Sequence, residues 1–336
     1  MIDNTNAVLP RALRIDSERE LRAVYCDALI YEAEKNPSVI AIEADVMSSM
    51  GTAAFAERFP ERSVNCGIQE ANAVGVAAAM SIEGYIPFVH AFGPFITRRV
   101  FDQVYLSCGY QKANVKLIGG DAGITATSNG GTHMPLEDIS LMRTIPNMVI
   151  LEPADTAAMQ RFVPMMAAAA GNVYCRSSRK KVTEVYTQDA AFSIGQASLV
   201  RDGEDVAVFS AGILLPEALE AAEQLEAEGI HAAVIDLYSI QPADTDCIRA
   251  YAEKCGAVVT VENQNVCGGL GSLVAETLAE QMPVPMRRIG VRGSFGEVGT
   301  VPSLKNRFGL NAADIQDACR GVMTRKAAIR SCGLQS

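Results

Sequence analysis

The chain has 336 residues, of which 49% are hydrophobic, 20% are charged and 6% are aromatic. This apolar content excludes disordered, collagen-like and low-complexity chains, and the length is enough for roughly two domains. The 39 acidic and 29 basic residues give a net charge of −10, which argues against a non-specific nucleic-acid binder.

Short apolar segments recur along the chain, separated by longer segments with helical periodicity. Apolar residues that are continuous rather than alternating are typical of strands covered on both faces, as in parallel sheets. The predicted strands are 39–44, 86–91, 115–119, 148–151, 173–175, 206–210, 232–237, 257–261 and 289–291. The predicted helices include 18–34, 69–82, 156–170, 216–228 and 271–281.

This alternation predicts an α/β fold with two domains, each a mostly parallel sheet flanked by helices. A polar, turn-rich stretch from 177 to about 196 is the predicted linker. The predicted domains are therefore 11–190 and 195–330, preceded by a flexible tail at 1–10. Because ligands bind beyond the carboxyl ends of parallel strands, the loops that follow the strands of the first domain are the place to search for a site.

The sequence also predicts where the protein resides. No apolar run approaches the ~18 residues of a membrane span, and the start lacks the basic and apolar regions of a secretion signal. The nine cysteines contain no Cys-x-x-Cys pair, and with three scattered histidines they form no zinc pattern. We expect a cytoplasmic protein with buried, reduced thiols, no bound metal of its own and no membrane or nucleic-acid partner.

The segment Asn65-Cys-Gly-Ile-Gln-Glu70 leads into a helix that carries no charge between Glu70 and Glu83. A helix that is apolar on nearly all faces is predicted to be buried. A carboxylate in its first turn complements the helix dipole, which gives Glu70 a purely structural role. Alternatively, Glu70 exchanges a proton with a ligand at the mouth of the helix. The residues alone do not decide between the two.

Two further loops follow predicted strands. Phe92 and Phe95, separated by Gly-Pro, are placed where a planar ligand can stack, although ordinary packing would use the same residues. A glycine-rich loop ends in Gly-Gly-Thr-His133-Met-Pro and is too polar for a core. His133 is therefore a candidate proton donor, or an orienting group, for a polar substrate.

Two other patterns carry less information. The basic run Arg179-Lys180-Lys181 is typical of a solvated turn rather than a phosphate site. A glycine-rich dinucleotide fingerprint and a Walker loop are both absent from the sequence.

Taken together, these segments resemble the C-terminal half of transketolase and its relatives, from about Glu18 to Arg320. The motifs that carry the resemblance are IEAD at 42–45, FPERSVNCGIQE at 59–70, GYIPFV at 84–89, GGTHMP at 130–135, IPNMVILEPAD at 145–155, VENQNVCGGLG at 261–271 and FGEVG at 295–299. The resemblance implies a pyrimidine-binding domain followed by the transketolase C-terminal domain, in an enzyme that uses thiamine diphosphate.

The family's diphosphate-binding domain carries a Gly-Asp-Gly motif, followed by an Asn, that holds Mg²⁺, and this sequence has no such motif. The resemblance therefore implies one subunit of a split enzyme, active only with an N-terminal subunit that binds the diphosphate and Mg²⁺. The implied reaction transfers a two-carbon ketol unit from a ketose, expected to be phosphorylated, to an aldose. A site shared between subunits implies self-association, as in a heterotetramer.

The resemblance also implies roles for individual residues. Glu70 corresponds to the glutamate that bonds to the pyrimidine ring and activates the cofactor. Phe95 corresponds to the aromatic residue that stacks on that ring. His133 corresponds to the histidine that contacts the donor carbonyl and hydroxyls. The other expected cofactor contacts are Phe92, Asp45 and Arg98, and the other expected substrate contacts are Arg22, Ser49, Asn129 and Arg176.

Two positions depart from the family pattern. Transketolases have a histidine before the aspartate that corresponds to Asp121, and this chain has Gly120. They also have an acidic residue four positions before His133, and this chain has Asn129. These departures leave the phosphate contact and the stereochemical preference open, including an unusual ketose or acceptor.

Other functions stay open at this point. An enzyme like 1-deoxyxylulose-5-phosphate synthase, or the beta subunit of a 2-oxo-acid dehydrogenase, would use the same cofactor for another reaction. A non-catalytic regulatory subunit would use the fold without chemistry, although Glu70 and His133 argue against it.

Overall fold

The computed structural model describes residues 1–331 and contains two sheets flanked by helices. The strands are β1 Ile2–Asp3, β2 Val39–Glu43, β3 Ser63–Asn65, β4 Ile86–Phe92, β5 Lys116–Gly120, β6 Val149–Leu151, β7 Val173–Ser177, β8 Ser198–Arg201, β9 Val206–Ser210, β10 Ala232–Asp236, β11 Ser239–Gln241, β12 Val258–Asn265 and β13 Met286–Val291.

The helices are α1 Leu21–Lys35, α2 Met47–Met50, α3 Ala53–Arg58, α4 Glu70–Ile82, α5 Gly93–Ile96, α6 Phe101–Gln103, α7 Asp138–Met142, α8 Thr156–Ala168, α9 Leu215–Glu226, α10 Thr245–Cys255, α11 Leu270–Gln281, α12 Val301–Phe308 and α13 Ala312–Ser331. A π-helical segment, Val104–Tyr110, continues α6.

The predicted α/β fold is confirmed. The first sheet has the order β11-β6-β7-β5-β4-β2-β3, and β11 is antiparallel to β6. The second has the order β1-β8-β10-β9-β12-β13, and β10 is antiparallel to β8. The other neighbouring strands are parallel. Burial of β2, β5, β7, β9 and β10 along their whole length explains their continuous apolar sequences.

The first ten residues differ from the flexible tail that the sequence predicts. Ile2 donates a backbone hydrogen bond to Ala197 at 2.8 Å, so that β1 extends the second sheet. The buried Asn4 side chain donates to Ser198 Oγ at 2.7 Å. The segment is short and polar, and its partners lie far along the chain, so no local pattern signals this pairing. The domain boundaries at 11–190 and 195–330 stay a prediction.

Helix α4 is only half-buried, in contrast to the prediction that it is buried all round. Ala73, Val74, Ala77 and Ala78 lie in the core. The opposite face is exposed, and its members are Ala71, Asn72, Gly75 and Ala79. The lack of charge on this helix therefore leaves a face of small, uncharged residues open on the surface of the single chain.

The thiols are mostly, but not all, buried. Cys267 is exposed and Cys66 is half-buried, so the prediction of buried thiols is wrong for these two, and Cys332 lies outside the described residues. Burial raises the pKa of Cys108 to about 12, which keeps its thiol protonated at neutral pH. Within residues 1–331, no helix has the length and apolar character needed to cross a membrane.

The carboxyl group of Glu262 on β12 is expected to make the stability of the folded protein depend on pH. Burial raises the pKa of this carboxyl to about 7, although it accepts hydrogen bonds from Gln264 Nε2 at 2.8 Å and from the Gly271 amide at 3.1 Å. The folded pKa lies above the unfolded value of about 4.3. The native state therefore binds the extra proton between these values, and stability falls as the pH rises through that window.

We expect the stability of the Glu262→Gln variant to fall less with rising pH than that of wild type, because a neutral amide has no charged form to desolvate. The measurement is the free energy of urea unfolding at about pH 5 and about pH 8, compared with wild type. Glu280→Gln, on an exposed position of the neighbouring helix α11, is the control. An unchanged pH dependence in the Glu262 variant would show that another group is responsible.

Candidate active site

The loops at the carboxyl ends of β2, β4, β5 and β7 meet at one edge of the first sheet, because these strands are parallel neighbours. Such an edge is where open parallel sheets bind ligands. Asp45 and Asp121 follow β2 and β5 with left-handed φ values of 60° and 62°. Non-glycine residues in this conformation are uncommon and cluster at functional sites.

Three aromatic rings lie together at this edge. The His133 ring centroid is 5.4 Å from that of Phe92 and 5.0 Å from that of Phe95, and the two phenylalanine rings are 5.9 Å apart. All three side chains are partly exposed. They form an apolar wall with one polar ring, which suits a flat ligand that carries hydrogen-bonding groups.

His133 has a depressed pKa. Partial burial lowers it most, Asp121 raises it, and the guanidinium groups of Arg99 and Arg179 lower it again. Its Nδ1 lies 2.8 Å from Thr132 Oγ1. A neutral imidazole at pH 7 can donate a hydrogen bond from one nitrogen and accept at the other.

Glu70 begins α4 and is only 5% exposed. Arg99 Nη1 donates to Glu70 Oε1 at 2.8 Å, and its guanidinium lies 3.7 Å from the centroid of the Phe95 ring. Glu70 Oε2 accepts no hydrogen bond from residues 1–331. Sequence reasoning selected Arg98 in this loop, but Arg98 is exposed and pairs with Glu137 at 2.6 Å.

Asp45 faces solvent, and Asn65 holds it in place. The Asp45 amide donates to Asn65 Oδ1 at 3.1 Å, and Asn65 Nδ2 donates to Asp45 Oδ1 at 3.2 Å. Asn65 also accepts from the amide of Gly67, two positions along the chain. These contacts connect the Asp45 loop to the turn that leads into Glu70.

Arg179 lies at the same edge, although its basic run is typical of a solvated turn. It donates to both carboxylate oxygens of Asp121, at 2.7 and 2.8 Å, and its guanidinium lies 4.9 Å from the centroid of the Phe92 ring. A Cβ on Gly120 would lie 2.5 Å from Met50 Sδ and 3.4 Å from Arg179 Cδ. A side chain at this position, such as the histidine of transketolases, would therefore require Met50 to move.

A second arginine lies beside Arg179. Arg22 Nη1 donates to the Ser49 carbonyl oxygen at 2.7 Å, and Arg179 Nη1 donates to the same oxygen at 3.0 Å. The two guanidinium groups share this acceptor, and Arg179 is also paired with the Asp121 carboxylate. Glu20 is paired with Arg22 through Nε, at 2.7 Å.

Arg176 is not available for the substrate contact that the sequence predicts. Its side chain is completely buried and donates to Asp138 at 2.7 Å and Glu152 at 2.7 Å. It also donates to the carbonyl oxygens of Pro135 and Asn263, at 2.9 and 2.8 Å. Arg176 thus connects the His133 loop to β12 of the second sheet, and the arginine at the open edge is Arg179.

The loop that bears His133 is packed against the segment 294–299 of the second half. A Cβ on Gly131 would lie 2.5 Å from the Gly296 carbonyl oxygen, so that only glycine permits this approach. The Gly299 amide donates to the Thr127 carbonyl at 3.0 Å. Asn129 is exposed on the same loop. Within residues 1–331, no group of three metal-ligating side chains is assembled.

Sequence reasoning missed Arg99 and selected Arg176 in place of Arg179. The basic run contained the signal for Arg179, but such a run is more often a solvated turn than a binding site. Arg99 and Arg98 are adjacent, and only the local backbone decides which one turns toward Glu70.

The chain is similar to known proteins over most of its length. Residues 17–184 match the transketolase pyrimidine binding domain, and residues 195–315 match the transketolase C-terminal domain. The chain is 45% identical to the 6-deoxy-6-sulfo-D-fructose transketolase subunit SqwH of Clostridium sp. (strain MSTE9), over 92% of this chain and 96% of that protein.

It is also 36% identical to an apulose-4-phosphate transketolase subunit of Phocaeicola vulgatus, over 88% of this chain and 94% of that protein. Human transketolase-like protein 2 is 33% identical, and the match covers 91% of this chain but 49% of that protein. Among solved structures, a split gene transketolase described as an inactive beta4 tetramer superposes with a TM-score of 0.85 and 40% identity, covering 92% of this chain and 100% of that chain.

Proposed function

The chain belongs to the transketolase family, and on that premise we propose that it is the C-terminal subunit of a split transketolase. The reaction is transfer of a two-carbon ketol unit from a ketose to an aldose, with thiamine diphosphate as cofactor. One observation carries the proposal. Glu70 is nearly buried and lies at the edge where three aromatic rings meet. One of its carboxylate oxygens accepts no hydrogen bond from the described residues.

The partner would be an N-terminal subunit that binds the diphosphate and Mg²⁺. The matched domains are the pyrimidine and C-terminal ones, and proteins named as transketolase subunits match along nearly their whole length. The match to human transketolase-like protein 2 covers about half of that longer protein, and a separate partner subunit would correspond to its other half.

The residues at the edge fit the cofactor. When bound, thiamine diphosphate supplies the carbon nucleophile that accepts the ketol unit. Glu70 Oε2 would share a proton with a ring nitrogen of the pyrimidine, while the hydrogen bond from Arg99 to Oε1 orients the carboxyl group. Phe92 and Phe95 would flank the ring and exclude water from it, and Asp45 would lie near the cofactor at the subunit interface.

His133 would bind the donor. Because its pKa is lowered, the imidazole is neutral at pH 7 and can donate a hydrogen bond to the carbonyl or hydroxyl oxygens of the sugar. The exposed side chain of Asn129 and the half-exposed Ser49 would contribute further polar contacts. Arg22 and Arg179 would hold the anionic group at the far end of the sugar, a role to which the guanidinium fork is suited.

Self-association is part of the proposal. The face of α4 that begins next to Glu70 is exposed, small and uncharged, and Ile68 just before it is 71% exposed. Small residues allow close approach of a second chain, and a contiguous apolar surface favours it. We infer a heterotetramer with two copies of each subunit, which would function in the cytoplasm.

We expect Arg179→Ala to raise KM for a phosphorylated ketose at least about tenfold, with a smaller change in kcat, because it removes an interaction with a part of the donor that does not react. Steady-state kinetics of the reconstituted pair measure both constants. Lys181→Ala, which removes an exposed charge from the same basic run, should leave KM unchanged. Equal KM values for the two variants would refute the role of Arg179.

Reconstitution tests the function itself. Co-expression with a chain that carries the Gly-Asp-Gly diphosphate motif should give ketol transfer that depends on both thiamine diphosphate and Mg²⁺, whereas the chain alone should be inactive. The coupled assay should include phosphorylated and sulfonated ketoses, since a relative is named for a sulfonated one. Decarboxylation of pyruvate without use of ketose donors would instead indicate a 2-oxo-acid dehydrogenase or a synthase that starts from pyruvate.

A further inference from the structure

A cleft lined by arginines opens beside β13, the edge strand of the second sheet. It has a volume of about 500 Å³ and extends to α12 and α13. A shallower depression adjoins it and shares four of its arginines. The arginines that line the cleft are Arg287, Arg288, Arg292, Arg307 and Arg325. None of the residues assigned above to the active site lines it.

The positive charge of this cleft is largely uncompensated. Arg307 pairs with Glu297 at 2.9 Å. Within residues 1–331, the other four arginines have no carboxylate within salt-bridge distance. Two carboxylates line the cleft, and both have other partners. Asp317 pairs with Arg320 at 2.7 Å, and Asp314 accepts from the Asn311 amide at 3.2 Å. The neutral amide leaves the negative charge of Asp314 in place, so that this carboxylate offsets one of the arginine charges.

Backbone carbonyls position three of these guanidinium groups. Arg288 Nη1 donates to the Val266 carbonyl at 3.0 Å, and Arg325 Nη2 donates to the Met286 carbonyl at 3.0 Å. Arg292 donates in turn to the Arg288 carbonyl. A carbonyl fixes a guanidinium without neutralising it, so the arrangement preserves both its charge and its remaining N–H donors.

Gathering like charges in this way is electrostatically unfavourable unless an anion is bound, and it contrasts with the net charge of −10 of the whole chain. Guanidinium groups bind phosphate through paired hydrogen bonds. The volume lies within the range of about 300–1,000 Å³ that is usual for small-molecule sites. Phe308 lines the cleft and offers an aromatic surface beside the charged groups.

We propose that this cleft binds a small molecule that carries two phosphate groups, of the class of a nucleoside diphosphate or a sugar bisphosphate. The site is separate from the proposed ketol-transfer site and does not rest on that function. With Arg307 paired and one further charge offset by Asp314, the cleft keeps an excess of positive charge that the negative charges of two phosphates match, whereas one phosphate would leave part of it unbalanced.

The test is isothermal titration of the full chain with inorganic pyrophosphate and, separately, with ADP. We expect saturable binding that weakens steeply with added salt. Arg292→Gln/Arg325→Gln should weaken it at least about tenfold, since both side chains are exposed in the cleft and their loss removes two charges. Arg58→Gln/Arg249→Gln removes two exposed arginines elsewhere and should bind as wild type does.

A further variant distinguishes the two candidate anion sites. Arg179→Ala should retain pyrophosphate binding, because Arg179 does not line the cleft. Loss of binding in that variant alone would place the anion at the active-site edge and overturn the proposal. Failure of wild type to bind either probe, or equal binding by the cleft variant, would also overturn it. So would binding of polyglutamate without binding of either probe, since that would indicate an acidic protein partner.

Discussion

Glu70→Gln is expected to reduce ketol transfer by the reconstituted pair by about 10²–10⁴-fold, the usual contribution of a positioned general acid or base. The amide keeps the size of the side chain but cannot give and take the proton that the carboxyl group shares with a ring nitrogen. The variant should still fold. Arg99 loses its charged partner, but its side chain is 46% exposed and water solvates the unpaired guanidinium. Turnover at saturating donor and cofactor is the measurement.

The matched control is Glu83→Gln at the other end of α4. Glu83 is exposed and lies next to the last turn, so its substitution removes the same charge from the same helix without touching the site. Turnover should equal that of wild type. If the Glu70 variant also worked at the wild-type rate, Glu70 would have only the helix-dipole role that the sequence left open.

The local sequence predicts the longer strands, but it does not predict the shortest ones. All nine apolar segments predicted as strands, from 39–44 to 289–291, correspond to strands of the structure. The missed strands β1, β3, β8 and β11 have two to four residues and include polar ones, so they lack the continuous apolar run that identifies the equally short β6. Their pairing depends on partners far along the chain, as between Ile2 and Ser198.

The candidate site shows the same division. The parallel order of β2, β4 and β5 explains why loops far apart in sequence meet, and that much can be predicted from the pattern. The pattern does not predict which of two neighbouring side chains points toward the site. Arg98 and Arg99 differ in the carboxylate that each contacts, and Arg176 and Arg179 differ in burial, because of backbone turns and partners that no short motif encodes.

Arg176→Met is expected to lower the free energy of unfolding by about 3–5 kcal/mol, the usual cost of breaking a buried ion pair from one side. Asp138 and Glu152 lie 38 and 24 residues from Arg176 in the sequence, and both would be left buried without their cation. Burial already raises the pKa of Glu152, while Arg176 lowers it. Urea unfolding of the full chain measures the loss.

The control and a compensating variant make this prediction specific. Arg249→Met, at a half-exposed position on α10, should change stability by no more than about 0.5 kcal/mol. Adding Asp138→Asn and Glu152→Gln to Arg176→Met should restore part of the loss, because it removes the buried charges that no longer have a partner. Unchanged stability together with a raised KM for the donor would contradict this prediction. Arg176 would then bind substrate, as the sequence predicts, rather than stabilise the fold through these carboxylates.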